Sequence, residues 1–422
     1  NKFAMWKSME EMTVLQAVQA PKICKYLAMF MSIALIVQAA GFMFWFPLAQ
    51  PLYYLAIILS LMYILGGGIT VDERFMIFMI LLGINALLLS TDSIFDAKKR
   101  YCFFALVMTV CSPLIKTVRA VVFRQYIFKY TMFAMMPLAV GSFFCFLGGV
   151  NMMPYNRGRL TDVGAFLEYE SRGGLFSGLF THSMTLGPIS ALVALIFFVI
   201  YQKCGKKIFM VMFFCSALAV VMSASRAALL ALLVPIFYIT FFASNTPKRM
   251  KRIIGLLLVG VLFATPFAER AFTGLVNKQI NRLEQNDGKL NSRNDKFQAR
   301  FNEFCDSPLW GIGFATIDER YDVQNNGQIE PGSSHLAVLS MTGLIGICSY
   351  IIVLLHAFNT IKKSNDFRAL MLQGLFMAYF VHMWFEGYIF GAGGILCFLF
   401  WLIISQCFDY KYIRRNENSV FH

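Results

Sequence analysis

A few cationic or titratable side chains stand where an otherwise apolar chain can do phosphate and proton chemistry. Arg226 follows Ser223-Ala-Ser and precedes Ala-Ala-Leu-Leu, so a guanidinium heads an apolar segment. That placement is costly unless the group reaches an interface or faces a polar cavity. A snorkelling interfacial arginine meets the cost; so does a phosphate ligand, because guanidinium offers a fixed fork of donors matched to phosphate oxygens. Arg293 and Arg300 lie seven residues apart with Phe297 between them, hence near one face of a helix. Such a pair reads as a solvated face or as further anion contacts. His335 closes Glu330-Pro-Gly-Ser-Ser-His335, where another apolar run begins. An imidazole at that mouth can act as a base near neutral pH, although a lone interfacial histidine is more often structural.

The elements that position these groups follow from composition. Of 422 residues, 58% are apolar and only 14% charged, with a mean hydropathy of +0.63. An ordinary soluble domain is about a quarter charged, so the chain reads as an all-α polytopic membrane protein, which excludes a soluble globule, a disordered chain and a disulfide scaffold. The ten cysteines lie in or beside apolar runs except Cys305, and no zinc spacing occurs. The first apolar run follows a polar stretch without a small-residue cleavage pattern, so it reads as a retained span.

Runs approaching the about 20 apolar residues a membrane helix needs occur near 26–48, 51–67, 75–91, 101–116, 130–150, 184–202, 208–223, 227–243, 253–268, 334–358, 368–384 and 388–408. This predicts about 12 transmembrane helices. Residues 1–268 hold the first nine, with a smaller outer loop at 151–183; residues 269–333 form a large outer loop; residues 334–422 hold the last three and a tail. Alternation puts Lys116, Arg119, Arg124 and Lys129, then Lys203, Lys206 and Lys207, then Lys248, Arg249, Lys251 and Arg252, then Lys362, Lys363 and Arg368 on one side. By the positive-inside rule that side is cytoplasmic, with both termini. The net charge of +14 is thus mainly a topology signal, and the slightly acidic large loop argues against nucleic acid.

Both outer loops exceed the length of connectors. In the larger one Leu275, Val276, Ile280 and Leu283, then Phe297, Phe301 and Phe304, recur at helical spacing, which predicts amphipathic helices on the membrane face. The turn Pro308-Leu-Trp-Gly-Ile-Gly313 follows; a lone GxG is weak evidence of a site. No DxD pair stands in the outer loops, and Asp318-Glu319 and Asp322 are spaced like solvated charges, so no metal and no cofactor is expected.

In combination, the S-x-S-R-A-A-L-L start at Arg226, Arg293 ahead of Pro308-Leu-x-Gly-x-Gly, His335 at the head of the next span and Gly178-Leu-Phe-Thr-His182-Ser-Met-Thr-Leu-Gly187 resemble the O-antigen ligase and O-antigen polymerase superfamily. The resemblance covers roughly residues 175–400. It implies a periplasmic-face, inverting, metal-independent glycosyltransferase of the GT-C type in a bacterial inner membrane. The implied donor is an undecaprenyl-diphosphate-linked glycan, the acceptor a glycan or lipid A core, and a chain-length regulator protein a further partner. By the same resemblance Arg226 and Arg293 hold the diphosphate and His335 engages the acceptor hydroxyl. Arg300, Arg172, His182 and Glu386 are the further substrate-binding candidates. The chain departs from the family in reading His335-Leu-Ala-Val, without a polar residue to orient the imidazole; Glu386, His382, Glu330 and Ser333 remain open for that task.

The resemblance leaves polymerase and ligase open, the polymerase slightly favoured because each polysaccharide locus tends to need its own. A flippase or transporter is the alternative of another class. Its midplane substrate groups and related halves have no counterpart in these apolar span centres.

Overall fold

The computed structural model describes residues 20–40, 49–90, 97–150, 176–242, 292–321, 331–364 and 366–420. Among them the chain is all helical, with no strand beyond isolated bridges at Ala40–Phe180 and Val71–Ile115. In chain order the helices are α1 (Lys22–Ala39), α2 (Ala49–Leu65), α3 (Glu73–Ile84, continued by a π turn Asn85–Leu89), α4 (Ala97–Cys111), α5 (Val118–Leu147), α6 (Ser183–Cys204), α7 (Lys207–Met222), α8 (Arg226–Phe241), α9 (Ser292–Asp306), α10 (Ser334–Ile361), α11 (Phe367–His382) and α12 (Ile395–Val420).

Helix starts coincide with residues whose side chains accept backbone N–H groups: Asp72 before α3, Thr117 before α5, Ser225 before α8 and Asp366 before α11. Each satisfies a donor that the first turn leaves without a helical partner. Gly205 at φ +66° lets α6 turn into α7, a conformation open to glycine without a Cβ penalty. α1, α5, α6, α10 and the 395–413 part of α12 are long and apolar enough to cross a membrane. Large side chains such as Met62, Ile77, Leu88, Phe144, Phe237 and Leu355 are exposed on the bundle surface, as a lipid-facing surface requires. Inside, Trp401 is fully buried among Phe75, Phe78, Phe104 and Tyr350 with ring centroids 5.3–6.5 Å away.

At one end Arg119 lies 4.4 Å over the Tyr63 ring, Lys25 lies 5.7 Å over Tyr126, and Lys203 lies 4.9 Å over Phe367; Lys116 there pairs with Asp72. At the other end Gly187 of α6 abuts Ser223 and Ala228, and the Asn85 amide donates to the Trp310 carbonyl at 2.7 Å. The first of these is the basic end, and its charges are those assigned above to the cytoplasmic side.

Several element boundaries differ from expectation. α5 begins at Val118 rather than near 130, and α12 begins at Ile395 rather than 388 and runs past 408 into the expected tail. A buried ion pair accounts for the early start of α5 and the extension of α12. Arg124, expected as a loop charge, is 0% exposed and holds Asp409 of α12, 5% exposed, at 2.9–3.2 Å while donating to the Ile115 carbonyl at 2.8 Å. Paired this way, two charges become compatible with helix interior positions that hydropathy alone assigns to loops. The expected span 253–268, the loop residues 151–175 and the Leu275–Leu283 segment lie outside the described residues.

Candidate functional site

The site end is organised by a break in α10. Gly343 has φ +61° and ψ −162°, a backbone state essentially restricted to glycine. At the break, the N–H groups of Leu344 and Ile345 leave the helix ladder and donate to the carbonyls of Pro308 and Leu309, at 2.8 and 3.3 Å. In exchange, Ile312 and Gly313 donate to the carbonyls of Ser340 and Met341, at 3.0 and 3.1 Å. The Pro308–Gly313 turn therefore replaces the hydrogen bonds that the bend removes, as non-helical backbone at membrane depth demands. A Cβ on Gly311 would fall 2.3 Å from the Met341 carbonyl carbon, and one on Gly343 2.4 Å from that of Leu309. Close backbone approach explains both glycines.

The bend decides where His335 lies. Its Nδ1 is 3.3 Å from the Tyr350 hydroxyl, fifteen residues along the same chain. In an unbroken helix those residues stand about 22 Å apart along the axis, beyond the joint reach of the two side chains. His335 is accordingly not at an open mouth; it is 6% exposed, with ring centroids of Phe380 and Trp384 at 5.0 and 4.9 Å. Its Nε2 lies 3.0 Å from the Phe380 carbonyl. A carbonyl only accepts, so Nε2 carries the proton and Nδ1 is the acceptor nitrogen, facing the Tyr350 hydroxyl. Phe380 and Tyr350 thus hold the imidazole, rather than His382 or Ser333; His382 Nδ1 instead meets the Tyr388 hydroxyl at 3.0 Å. Glu330 lies outside the described residues.

Ser334, one residue earlier, ties the start of α10 to the segment after α11. Its N–H reaches the Met383 and Glu386 carbonyls at 2.9 and 3.0 Å, and its hydroxyl the Glu386 carbonyl at 2.7 Å. The Glu386 contribution to this geometry is thus its backbone, and its side chain is half-buried.

Arg226 is the first residue of α8, behind the Ser225 cap. Ala224 in the preceding turn has φ +51°, and the turn packs on Gly187, where a Cβ would lie 2.7 Å from Ser223 Oγ. The Arg226 side chain is exposed and has no hydrogen bond or ion pair to a described residue. His182 caps α6 in the same region by accepting the Met184 N–H at its Nδ1, 3.0 Å. Lys203 at the far end of α6 meets Phe367 at the start of α11, so the Arg226 and His182 turns share an end of the bundle with the close of α11, whose Phe380 carbonyl holds His335.

α9 carries Arg293 in its first turn and Arg300 near its middle. The Arg293 side chain lies outside what the structure describes, while Arg300 is fully buried against Glu303, Nη2 to Oε1 2.9 Å. Glu303 Oε1 also accepts the Asp318 N–H at 2.9 Å. Phe301 is exposed and Phe304 half-buried, so this helix turns its ion pair inward and aromatic residues outward, suiting lipid contact. Arg300 is thereby engaged as an anchor of the loop. Beyond it Arg320 reaches Asp306 at 2.8 Å and Asp318; the Arg320 guanidinium holds the Asp318 carboxyl below its ordinary range. Arg172 lies outside the described residues. Among the described residues no three His, Cys, Asp or Glu side chains come together as a metal-ligand group.

Tyr350 and Phe380 escaped sequence reasoning because a backbone carbonyl leaves no trace in residue type and a tyrosine mid-span looks like packing. The glycine of Met-Thr-Gly343-Leu was the one available signal.

Among the described residues the fold is that of an all-helical, multi-pass membrane protein whose broken helix carries a buried histidine at the same end of the bundle as an exposed arginine turn. Residues 211–354 match the model of the O-antigen ligase family. That segment runs from α7 through Arg226, α9, the Pro308–Gly313 turn and His335 to the second half of α10, and the match supports the O-antigen ligase/polymerase superfamily, whose ligase-type activity is glycosyl transfer. No curated protein matches the chain.

Proposed function

We propose that the protein transfers a glycan from undecaprenyl diphosphate to a sugar hydroxyl, with inversion and without a metal, at the non-basic end of the bundle, which is then periplasmic. The observation that carries this reading is the family match spanning Arg226, Arg293 and His335 together. The acceptor oxygen bonds to the anomeric carbon as the anomeric carbon–oxygen bond to phosphate breaks, and the diphosphate departs with the bonding pair. Guanidinium groups at Arg226 and Arg293 stabilise the charge that develops there, an effect strengthened where water is excluded.

His335 takes the acceptor proton. With Nε2–H held on the Phe380 carbonyl, Nδ1 is the nitrogen that can take a proton, and the acceptor hydroxyl replaces the Tyr350 hydroxyl there. Trp384, exposed and with its ring centroid 4.9 Å from that of His335, is the exposed aromatic neighbour of this imidazole. Polymerisation of repeat units in O-antigen or capsule assembly is the favoured acceptor choice and ligation to lipid A core the alternative; both use the same leaving group.

Reconstitution with a defined undecaprenyl-diphosphate glycan, offered lipid-linked repeat or core acceptors with and without chelator, tests the whole reading. Transfer that persists in chelator supports it, and the acceptor consumed distinguishes polymerase from ligase. Movement of lipid-linked glycan across the bilayer without transfer would replace it with a flippase.

A further inference from the structure

At the basic end, about 15 Å along α10 from Tyr350 at the level of Thr360, the structure contains a cavity of about 650 Å³ between the start of α5, the end of α10 and residues 408–412 of α12. This is a volume typical of small-ligand sites. Its charged lining is Lys116, Lys363, Lys411 and Asp409. Asp409 is already neutralised by Arg124 and Lys116 by Asp72. Lys363 and Lys411 are exposed and have no hydrogen bond or ion pair to a described residue. The cavity is therefore net cationic by two ammonium groups.

The neutral polar groups narrow the ligand class. Thr360 spends its hydroxyl proton on the His356 carbonyl at 2.8 Å. Ser364 donates to Asp366 at 2.7 Å, and the Tyr410 hydroxyl also turns to Ser364 and Asp366. The donors that face a ligand are thus the lysine ammonium groups and the exposed Tyr412, with Phe408 and Val121 as apolar wall. A sugar, which needs a mixed donor and acceptor lining, is poorly served. A compact anion attached to something apolar is well served.

We infer that this cavity binds a phosphate-bearing anion, held by Lys363 and Lys411, at the end of the bundle opposite the proposed transfer site. Basic pockets between membrane helices on the cytoplasmic side suit anionic lipid headgroups, and a soluble phosphate presents the same chemistry. The inference does not depend on the transfer reaction.

The test uses the full protein in phosphatidylcholine nanodiscs with and without phosphatidylglycerol, and with inorganic phosphate as a separate probe. Lipid retention is read by native mass spectrometry and stabilisation by thermal unfolding. Wild type should retain and be stabilised by phosphatidylglycerol over phosphatidylcholine. The double variant Lys363→Gln/Lys411→Gln should bind it roughly 30-fold more weakly at low salt. Both lysines are exposed, and unfolding in phosphatidylcholine alone checks that the variant is folded. Displacement of phosphatidylglycerol by inorganic phosphate supports the site with a soluble ligand as its source; retention against phosphate supports it with a lipid as its source. Equal phosphatidylglycerol binding by wild type and the double variant, or binding of neither probe, overturns the inference.

Discussion

Replacing Gly343 with alanine attacks the geometry that brings His335 to Tyr350. The added Cβ meets two penalties. The backbone at φ +61° and ψ −162° costs an alanine on the order of 1–3 kcal/mol. The Cβ also lies 2.4 Å from the Leu309 carbonyl carbon and oxygen and 2.6 Å from the Trp310 nitrogen, backbone atoms that cannot rotate away. Relief requires the Pro308–Gly313 turn to lift, weakening the four backbone hydrogen bonds it exchanges with α10, each contributing about 1 kcal/mol net. With about half of that hydrogen bonding lost, the expected total is about 3–5 kcal/mol, enough to separate the turn from the helix locally. Gly393→Ala is the matched control, because a Cβ there meets nothing within 4 Å and no positive φ is needed. Thermal unfolding in detergent, with glycan transfer measured on the folded fraction, should show Gly343→Ala unfolding at a lower temperature and losing transfer, Gly311→Ala behaving alike, and Gly393→Ala matching wild type. If Gly343→Ala and Gly393→Ala are indistinguishable in both readouts, the bend is not what positions His335.

Other expectations follow from single contacts. Arg226→Ala, Arg293→Ala and His335→Ala should each abolish transfer while the protein still accumulates in the membrane; transfer retained by both arginine variants would remove the leaving-group argument. Tyr350→Phe should leave the fold intact, costing about 1 kcal/mol for one hydrogen bond, and should change the pH profile of transfer, because the Nδ1 partner of His335 is gone; an unchanged profile counts against Nδ1 as the base. Asp409→Leu alone should destabilise by about 3–5 kcal/mol, by leaving Arg124 buried and unpaired, while Arg124→Leu/Asp409→Leu should recover most of it; a double variant as unstable as the single one refutes the pairing. Asp318, held below its ordinary range by Arg320, contributes to loop order above the ordinary carboxylate range, and the contribution is lost as pH falls through its lowered value; limited proteolysis of residues 306–321 should accelerate in acid, and Asp318→Asn should erase that acceleration.

Much of the architecture was legible in residue order. Apolar runs located α6, α7, α8 and α11 nearly to the residue, because hydropathy follows directly from the solvent that a helix faces. Arg124 and Asp409 were misread because 285 residues of chain separate them, and a charge becomes tolerable inside a bundle only when its partner is known.

By itself the sequence determined a helical chain with apolar helices of membrane-spanning length and the end at which its basic residues gather, since composition and charge order express those properties. Only the tertiary structure decided that α10 breaks at Gly343, that the Pro308–Gly313 turn fills the break, and that Phe380 and Tyr350 hold the imidazole. These depend on backbone groups exchanging partners between distant segments. Every residue carries the same backbone N–H and C=O, apart from proline's missing N–H, so such exchanges are invisible until the chain is folded.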